Sequence, residues 1–253
     1  MALMEPTTVR HNAQRLSEIL TSPTGSVKAL PLAMIDCPKC GNHRRRSLIP
    51  SLCAVCFRQI EFERLPERER EARTAAVVHE RYRTAILDDL PPGLRQQLET
   101  APDAESVYLW GLPGTGKTYA LAAMARKHIT DGFHVERETW ERLCLRIRDT
   151  FKPQARETEW SIIEPYLLAD KLILEDIGTT VSVGKQESDF SLRVLLLILD
   201  SRSEDCLQTL LTGNKPIEEL ANSFDARIAS RLRQGVIIHK TGTDKRGCKE
   251  PAK

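Results

Sequence analysis

The chain has 253 residues, 41% of them hydrophobic and 28% charged, which suits one mid-sized domain with a smaller appendage and excludes wholesale disorder. Lys and Arg number 37 against 35 Asp and Glu, so a nucleic-acid role would have to come from local patches rather than net charge. The longest apolar run, Val194–Leu199, is far short of the ~20 residues of a membrane span.

Residues 1–35 are mostly polar, with Ser, Thr and Pro around Ser22–Ser26. The start, Met1 to Pro6, lacks the apolar stretch of a signal peptide, so a cytoplasmic protein without a membrane partner is expected. Val9, Ala13, Leu16, Ile19 and Leu20 recur at helical spacing. A helix this short is marginal in water, so it either folds onto the next module or docks on a partner.

Residues 36–60 hold four of the seven cysteines. Cys37-Pro-Lys-Cys40 and Cys53-Ala-Val-Cys56 form C-x₂-C-x₁₂-C-x₂-C, in which two tight turns offer four thiolates to one tetrahedral Zn²⁺. So small a module has too little apolar surface to fold unaided, and metal binding would supply the missing stability. Redox pairs are the competing reading of C-x-x-C, but no thioredoxin-like context surrounds them. His43 between the pairs is an alternative ligand. The basic strip His43-Arg44-Arg45-Arg46 reads either as an exposed loop or as a phosphate-backbone contact.

Residues 61–90 read as a charged linker helix. Glu and Arg alternate through Glu61–Arg83 with Pro66 as the main breaker, and the acids offset the arginines that could otherwise make a nucleic-acid surface. Pro91-Pro92-Gly93 then opens the main domain, residues 91–253. Strands are predicted at Val107–Trp110, Phe133–Glu136, Lys171–Leu174, Gln208–Thr212 and Val236–His239. Helices are predicted at Lys117–Ile129, Thr139–Phe151, Phe190–Arg202 and Ala226–Arg233. That alternation makes an α/β fold with a parallel five-stranded sheet covered by helices.

Gly111-Leu112-Pro113-Gly114-Thr115-Gly116-Lys117-Thr118 fits G-x-x-x-x-G-K-[ST] and lies between a predicted strand and a predicted helix. Backbone N–H groups in such a loop wrap phosphates, and the helix N-terminus adds partial positive charge. Lys117 is expected on the β- and γ-phosphates and the Thr118 hydroxyl on Mg²⁺, with Tyr119 completing the binding stretch. Further on, Lys171-Leu-Ile-Leu-Glu175-Asp176-Ile-Gly178 is an apolar strand ending in two acids, one for the Mg²⁺ shell and one for the attacking water. An ordinary exposed strand end is the bland alternative.

With these two motifs, the region from Arg81 to Gly247 resembles an AAA+ ATPase of the DnaC/DnaI helicase-loader and IstB transposition-helper group. Tyr82-Arg83 before Leu87 resembles the approach to the adenine pocket. Leu211-Thr-Gly-Asn214 resembles the strand-end sensor, in which Asn214 would help position the attacking water. Phe224-Asp-Ala-Arg227-Ile-Ala-Ser-Arg231-Leu resembles the arginine-finger helix, so that Arg231 would reach a neighbouring subunit's ATP, with Arg227 nearby. From spacing alone the two arginines could equally pair with Glu218, Glu219 or Asp225. Thr241-Gly-Thr-Asp-Lys-Arg246 resembles the group's terminal signature, and no helical lid is expected after it.

The chain departs from that group in one telling place. Where the group usually has Asp-Asp-Ile-Gly, Glu175 stands at the metal position and Asp176 at the water-activating one. A methylene moves a carboxylate by ~1 Å, a misplacement that can cost on the order of 100-fold in rate, so slow hydrolysis is expected.

What the resemblance implies is an ATP- and Mg²⁺-dependent loader of a hexameric replicative DNA helicase, assembling in a ring or spiral, with the zinc module facing the helicase. Glu138–Phe151 would be the group's pore helix for single-stranded DNA, with Arg142, Arg146, Arg148 and Lys152 for the backbone and Trp140 and Phe151 for stacking. Arg142, Leu145 and Asp149 also fit an ordinary surface helix. The alternatives are an IstB-like transposition helper acting with a transposase, and a non-hydrolysing ATP-gated zinc adaptor.

Overall fold

The computed structural model describes residues 33–39, 41, 44–47, 54–178, 189–223 and 225–244. The expected amino-terminal helix, Cys40, His43, Cys53, Phe224 and the last part of the terminal signature lie outside them. The chain divides into two units, 1–53 and 54–253.

In the first unit β1 (Ala33–Asp36) and β2 (Arg44–Ser47) pair antiparallel, Ala33 opposite Ser47 and Asp36 opposite Arg44. The turn after β1 is closed by the Gly41 N–H donating to the Cys37 carbonyl at 2.8 Å. Arg44–Arg46, read from sequence as loop, therefore belong to a strand.

The second unit starts with α1 (Ala54–Arg64) and α2 (Glu67–Val77). Pro66 separates them: its ring fixes φ and removes the N–H, so it ends one helix and sits at the N-cap of the next. The linker is thus two helices, and α2 buries no side chain, whereas Phe62 and Val78 flanking it are buried. Then follow α3 (Pro92–Thr100), β3 (Val107–Trp110), α4 (Lys117–Thr130), β4 (Val135–Thr139), α5 (Trp140–Asp149) and α6 (Glu159–Leu168). The remainder is β5 (Lys171–Ile177), α7 (Asp189–Glu204), β6 (Gln208–Gly213), α8 (Ile217–Ser223), α9 (Ala226–Arg233) and β7 (Val236–His239).

β3 to β7 form one five-stranded parallel sheet in the order β4-β5-β6-β3-β7. Both faces are covered, which is why its strands read as near-continuous apolar runs. Alternate residues part to opposite cores. Tyr108, Leu172, Leu174 and Leu211 join the side chains of α5 to α9. Val107, Leu109, Ile173, Leu210 and Ile238 join those of α3 and α4, together with Phe62 and Val78. The central strands β5, β6 and β3 all point the same way, so the residues following them gather at one edge of the sheet, where open α/β folds bind ligands. Among the described residues no helix is long and apolar enough to cross a membrane.

Candidate nucleotide-binding site

A cavity of about 620 Å³ opens at the C-terminal edge of the sheet, a size that suits a small-molecule ligand. Residues 113–119, Asp176, Asn214 and Lys240 form one wall, and Arg81, Tyr82, Asp89, Leu90 and Pro91 the other. Arg83 is not among the walls.

The loop after β3 needs glycine to take its shape, as Gly111 and Gly116 show most directly. A Cβ on Gly111 would stand 2.1 Å from the Lys240 carbonyl oxygen, and Gly116, at the N-cap of α4, has φ 95°. Gly116's missing side chain faces open space, so the loop backbone is bare on that side. Lys117 is buried at the start of α4. Its Nζ donates to the Gly111 carbonyl at 2.7 Å, the Leu112 carbonyl at 3.0 Å and Asn214 Oδ1 at 2.8 Å. Asn214 follows β6 directly, so the lysine bridges the loop and the neighbouring strand end. A bare backbone turn, a helix N-terminus and a buried ammonium together fit a triphosphate.

The two acids part company. A register irregularity between Leu174 and Ile177 interrupts the β5–β6 pairing, and such bulges re-aim side chains. Asp176 lies there with φ 60°, a left-handed conformation that an aspartate tolerates better than most residues. Its N–H donates to Thr212 Oγ1 at 2.9 Å, and the residue lines the cavity. Glu175 stays buried behind it. Arg137 on β4 reaches its Oε1 through Nε and Nη2, at 2.5 Å each, and the Thr118 hydroxyl bonds to the same carboxylate. Burial holds the Glu175 carboxyl above the usual carboxylate range; Arg137 and Thr118 offset only part of that shift. A hydroxyl and a carboxylate held together beside the phosphate loop fit an Mg²⁺ ion.

Between the two walls the Tyr119 hydroxyl donates to Asp89, and outside the cavity Arg126 Nη1 donates to the Ala85 carbonyl at 2.6 Å. These bonds tie α4 to the segment that carries Tyr82. The arginines of α9 stand apart from the cavity walls: Arg231 Nε donates to Asp200 Oδ1 at 2.5 Å, and Arg227 pairs with the capping Asp225 at 2.9 Å.

One expectation for α5 changes. Trp140 is 1% exposed and packs in the core, so it has no free face for stacking, while Leu145, on the other side of the helix, is exposed. Arg142 and Arg146 approach Glu138, and Lys152 pairs with Asp149. Phe151 is exposed and meets Phe190 edge to face. Cys37 and Cys56 are buried, and among the described residues no group of three or more His, Cys, Asp and Glu could hold a metal.

Arg137, Thr212 and Lys240 were missed from sequence. The one signal for Arg137 was a charged residue alternating in step with Val135 and Thr139 beside the strand that carries the acids.

Residues 80–242 match the family described as IstB-like ATP binding protein. The replicative helicase loader DnaC of Escherichia coli strain K12 is 26% identical over 125 residues, which cover 49% of this chain and 49% of that protein. The chain therefore spans about half the length of the curated relatives it matches. Among solved structures, a DnaC helicase loader superposes with a TM-score of 0.53 at 18% identity, covering 64% of this chain and 99% of that one. DnaI gives 0.51 at 23%, covering 64% and 90%. Domain III of the Thermotoga maritima replication initiation protein DnaA gives 0.53 at 16%, covering 66% and 70%. At these identities the likeness is one of fold. The family match spans well over half of the chain and includes the whole cavity, and by it the chain belongs to the IstB-like ATP-binding proteins; DnaC resembles it in sequence, and the DnaC and DnaI structures share its AAA+ fold.

Proposed function

We propose that this protein is an ATP-dependent loader that delivers a hexameric replicative DNA helicase to DNA. The observation that carries the reading is the convergence of Lys117, Thr118, Asn214 and Asp176 on one cavity, with the buried Glu175 carboxylate bonded to Thr118 behind it. The likeness to DnaC supports the choice of partner.

ATP with Mg²⁺ supplies the phosphoanhydride whose cleavage would time release of the helicase. Lys117 neutralises the β- and γ-phosphate oxygens, and Thr118 and Glu175 hold the metal side. Asp176 orients the attacking water and accepts its proton, and Asn214 hydrogen-bonds beside the γ-phosphate. Arg231 acts on the ATP of an adjoining subunit, so the active form is a ring or spiral. Glu175, a methylene longer than the aspartate the group usually has at the metal position, makes hydrolysis slow. Cys37, Cys40, Cys53 and Cys56 bind one Zn²⁺ in a front module that contacts the helicase, a reading supported by their spacing. The exposed Arg142 and the basic residues after it on α5 track single-stranded DNA.

The family description favours a second reading, an IstB-like helper that guides a transposase with the same ATPase. A pull-down with the purified full chain from its source cell, with ATP and Mg²⁺ against EDTA, separates the two. Nucleotide-dependent recovery of the replicative helicase is the expected result. Recovery of a transposase replaces the first reading by the second, and binding without any turnover in the presence of DNA leaves an ATP-gated adaptor.

A further inference from the structure

Arg137 has no part in the roles assigned above, yet its side chain is 8% exposed and sits against a carboxylate that is 5% exposed. It lies on β4, opposite Ile173, and Thr139 lies opposite Glu175. Arg137 and Glu175 are therefore diagonal neighbours on one face of the sheet, within reach of a long side chain. Both Nε and Nη2 converge on Oε1 at 2.5 Å, and Nη1 is 3.5 Å from the Val77 carbonyl. A glutamate carboxylate ends a three-torsion side chain and can occupy several positions unless it is held. Here the planar guanidinium fork holds it, and Glu175 is absent from the cavity walls while Asp176 is among them.

We propose that Arg137 is a positioning residue for the metal side of the nucleotide site: it fixes the Glu175 carboxylate against Thr118, so that the hydroxyl and the acid present one prearranged magnesium site. The inference rests on the ATP and Mg²⁺ reading above. Arg137 touches neither nucleotide nor metal and acts through Glu175, as outer partners of metal ligands do.

The test is equilibrium titration of the full chain with a fluorescent ATP analogue, in EDTA and across a Mg²⁺ series. In R137M, binding in EDTA is expected to stay within about threefold of wild type, while the Mg²⁺ concentration that gives half of the metal-dependent gain rises roughly 10–100-fold. R137K keeps the charge without the two-donor fork and is expected to fall between the two. In an E175Q background, R137M is expected to shift that midpoint less than about twofold, because the residue acts through Glu175. A wild-type midpoint in folded R137M, or a full shift that persists in E175Q, overturns the proposal. Should R137M fail to melt cooperatively, R137K decides: a wild-type midpoint there overturns it too. Wild-type protein with no signal in either buffer overturns the ATP reading itself, an outcome distinct from a normal wild type with unresponsive Arg137 variants.

Discussion

Trp110 and His239 lie ring on ring at the ends of β3 and β7, 3.8 Å between centroids and 5° from parallel. The stack clamps two strand ends just where each turns into the site. One residue further, the Lys240 N–H donates to the Trp110 carbonyl at 2.7 Å, and the Lys240 carbonyl presses on Gly111. The phosphate loop is thereby shaped from outside by the segment after β7. Gly111→Ala puts a methyl group onto a backbone oxygen that has no rotamer to escape by. We expect at least about tenfold weaker nucleotide binding, measured by calorimetry, since an ångström of misplacement in such a loop is costly. Unchanged affinity would mean that the loop is not braced there.

Arg202 anchors the far side of the sheet. Its guanidinium is 1% exposed and donates to the carbonyls of Tyr166, Leu167, Ala169 and Gln208, at 2.7 to 3.1 Å, and to Thr209 Oγ1 at 2.9 Å. Burial lowers its pKa to about 10, so it remains charged at neutral pH. Arg202→Met keeps much of the volume and strands several buried acceptors, which we expect to cost about 3–5 kcal/mol in urea unfolding with the m-value unchanged. A loss below about 1 kcal/mol would show that water replaces the donors.

His128 on α4 supplies a pH signature. Its ring is 6% exposed, Nε2 has no hydrogen-bond partner, and burial lowers its pKa to about 4. The unfolded chain, near 6.5, binds the proton first as pH falls. Stability from this residue is therefore full above 6.5, falls through the interval from 6.5 to 4 and is gone below it. Between pH 7.5 and pH 5 this amounts to about 2 kcal/mol. His128→Leu should remove that portion of the acid sensitivity, read as the difference between wild-type and variant unfolding free energies at the two pH values. Parallel pH profiles would refute it.

The parallel sheet was legible because its strands alternate with helices in sequence and bury both faces. Val107–Trp110 and Val236–His239 begin and end as the apolar pattern implies. The pattern stopped too early at Leu174, where two acids follow, yet β5 runs to Ile177. Charge at a strand end looks like exposure until a partner such as Arg137 appears on the next strand. The helix Glu159–Leu168 was overlooked for a related reason. Pro165 lies within it, a residue that argues against a helix interior, and its start is fixed by a reciprocal Thr158–Ser161 cap. Lys117 and Asn214 were both read as site residues, but their direct bond depends on β6 lying next to β3, an order no local pattern encodes.

The geometry of Arg231 permits a decisive test of subunit cooperation. Its guanidinium is anchored by Asp200 on α7, is 45% exposed, and is absent from the walls of its own cavity. A residue in that position can serve catalysis only on another protomer. Arg231→Ala should keep nucleotide affinity within about twofold and lose ATP turnover by roughly 10³-fold, the scale of an arginine supplied in trans. Lys117→Ala should instead lose nucleotide binding. Mixed in equal amounts, the two inactive proteins should regain measurable turnover, because the intact Arg231 of one variant meets the intact loop of the other. A mixture as inactive as its components, with mixed assemblies verified by native mass spectrometry, would assign Arg231 to its ion pair with Asp200 alone.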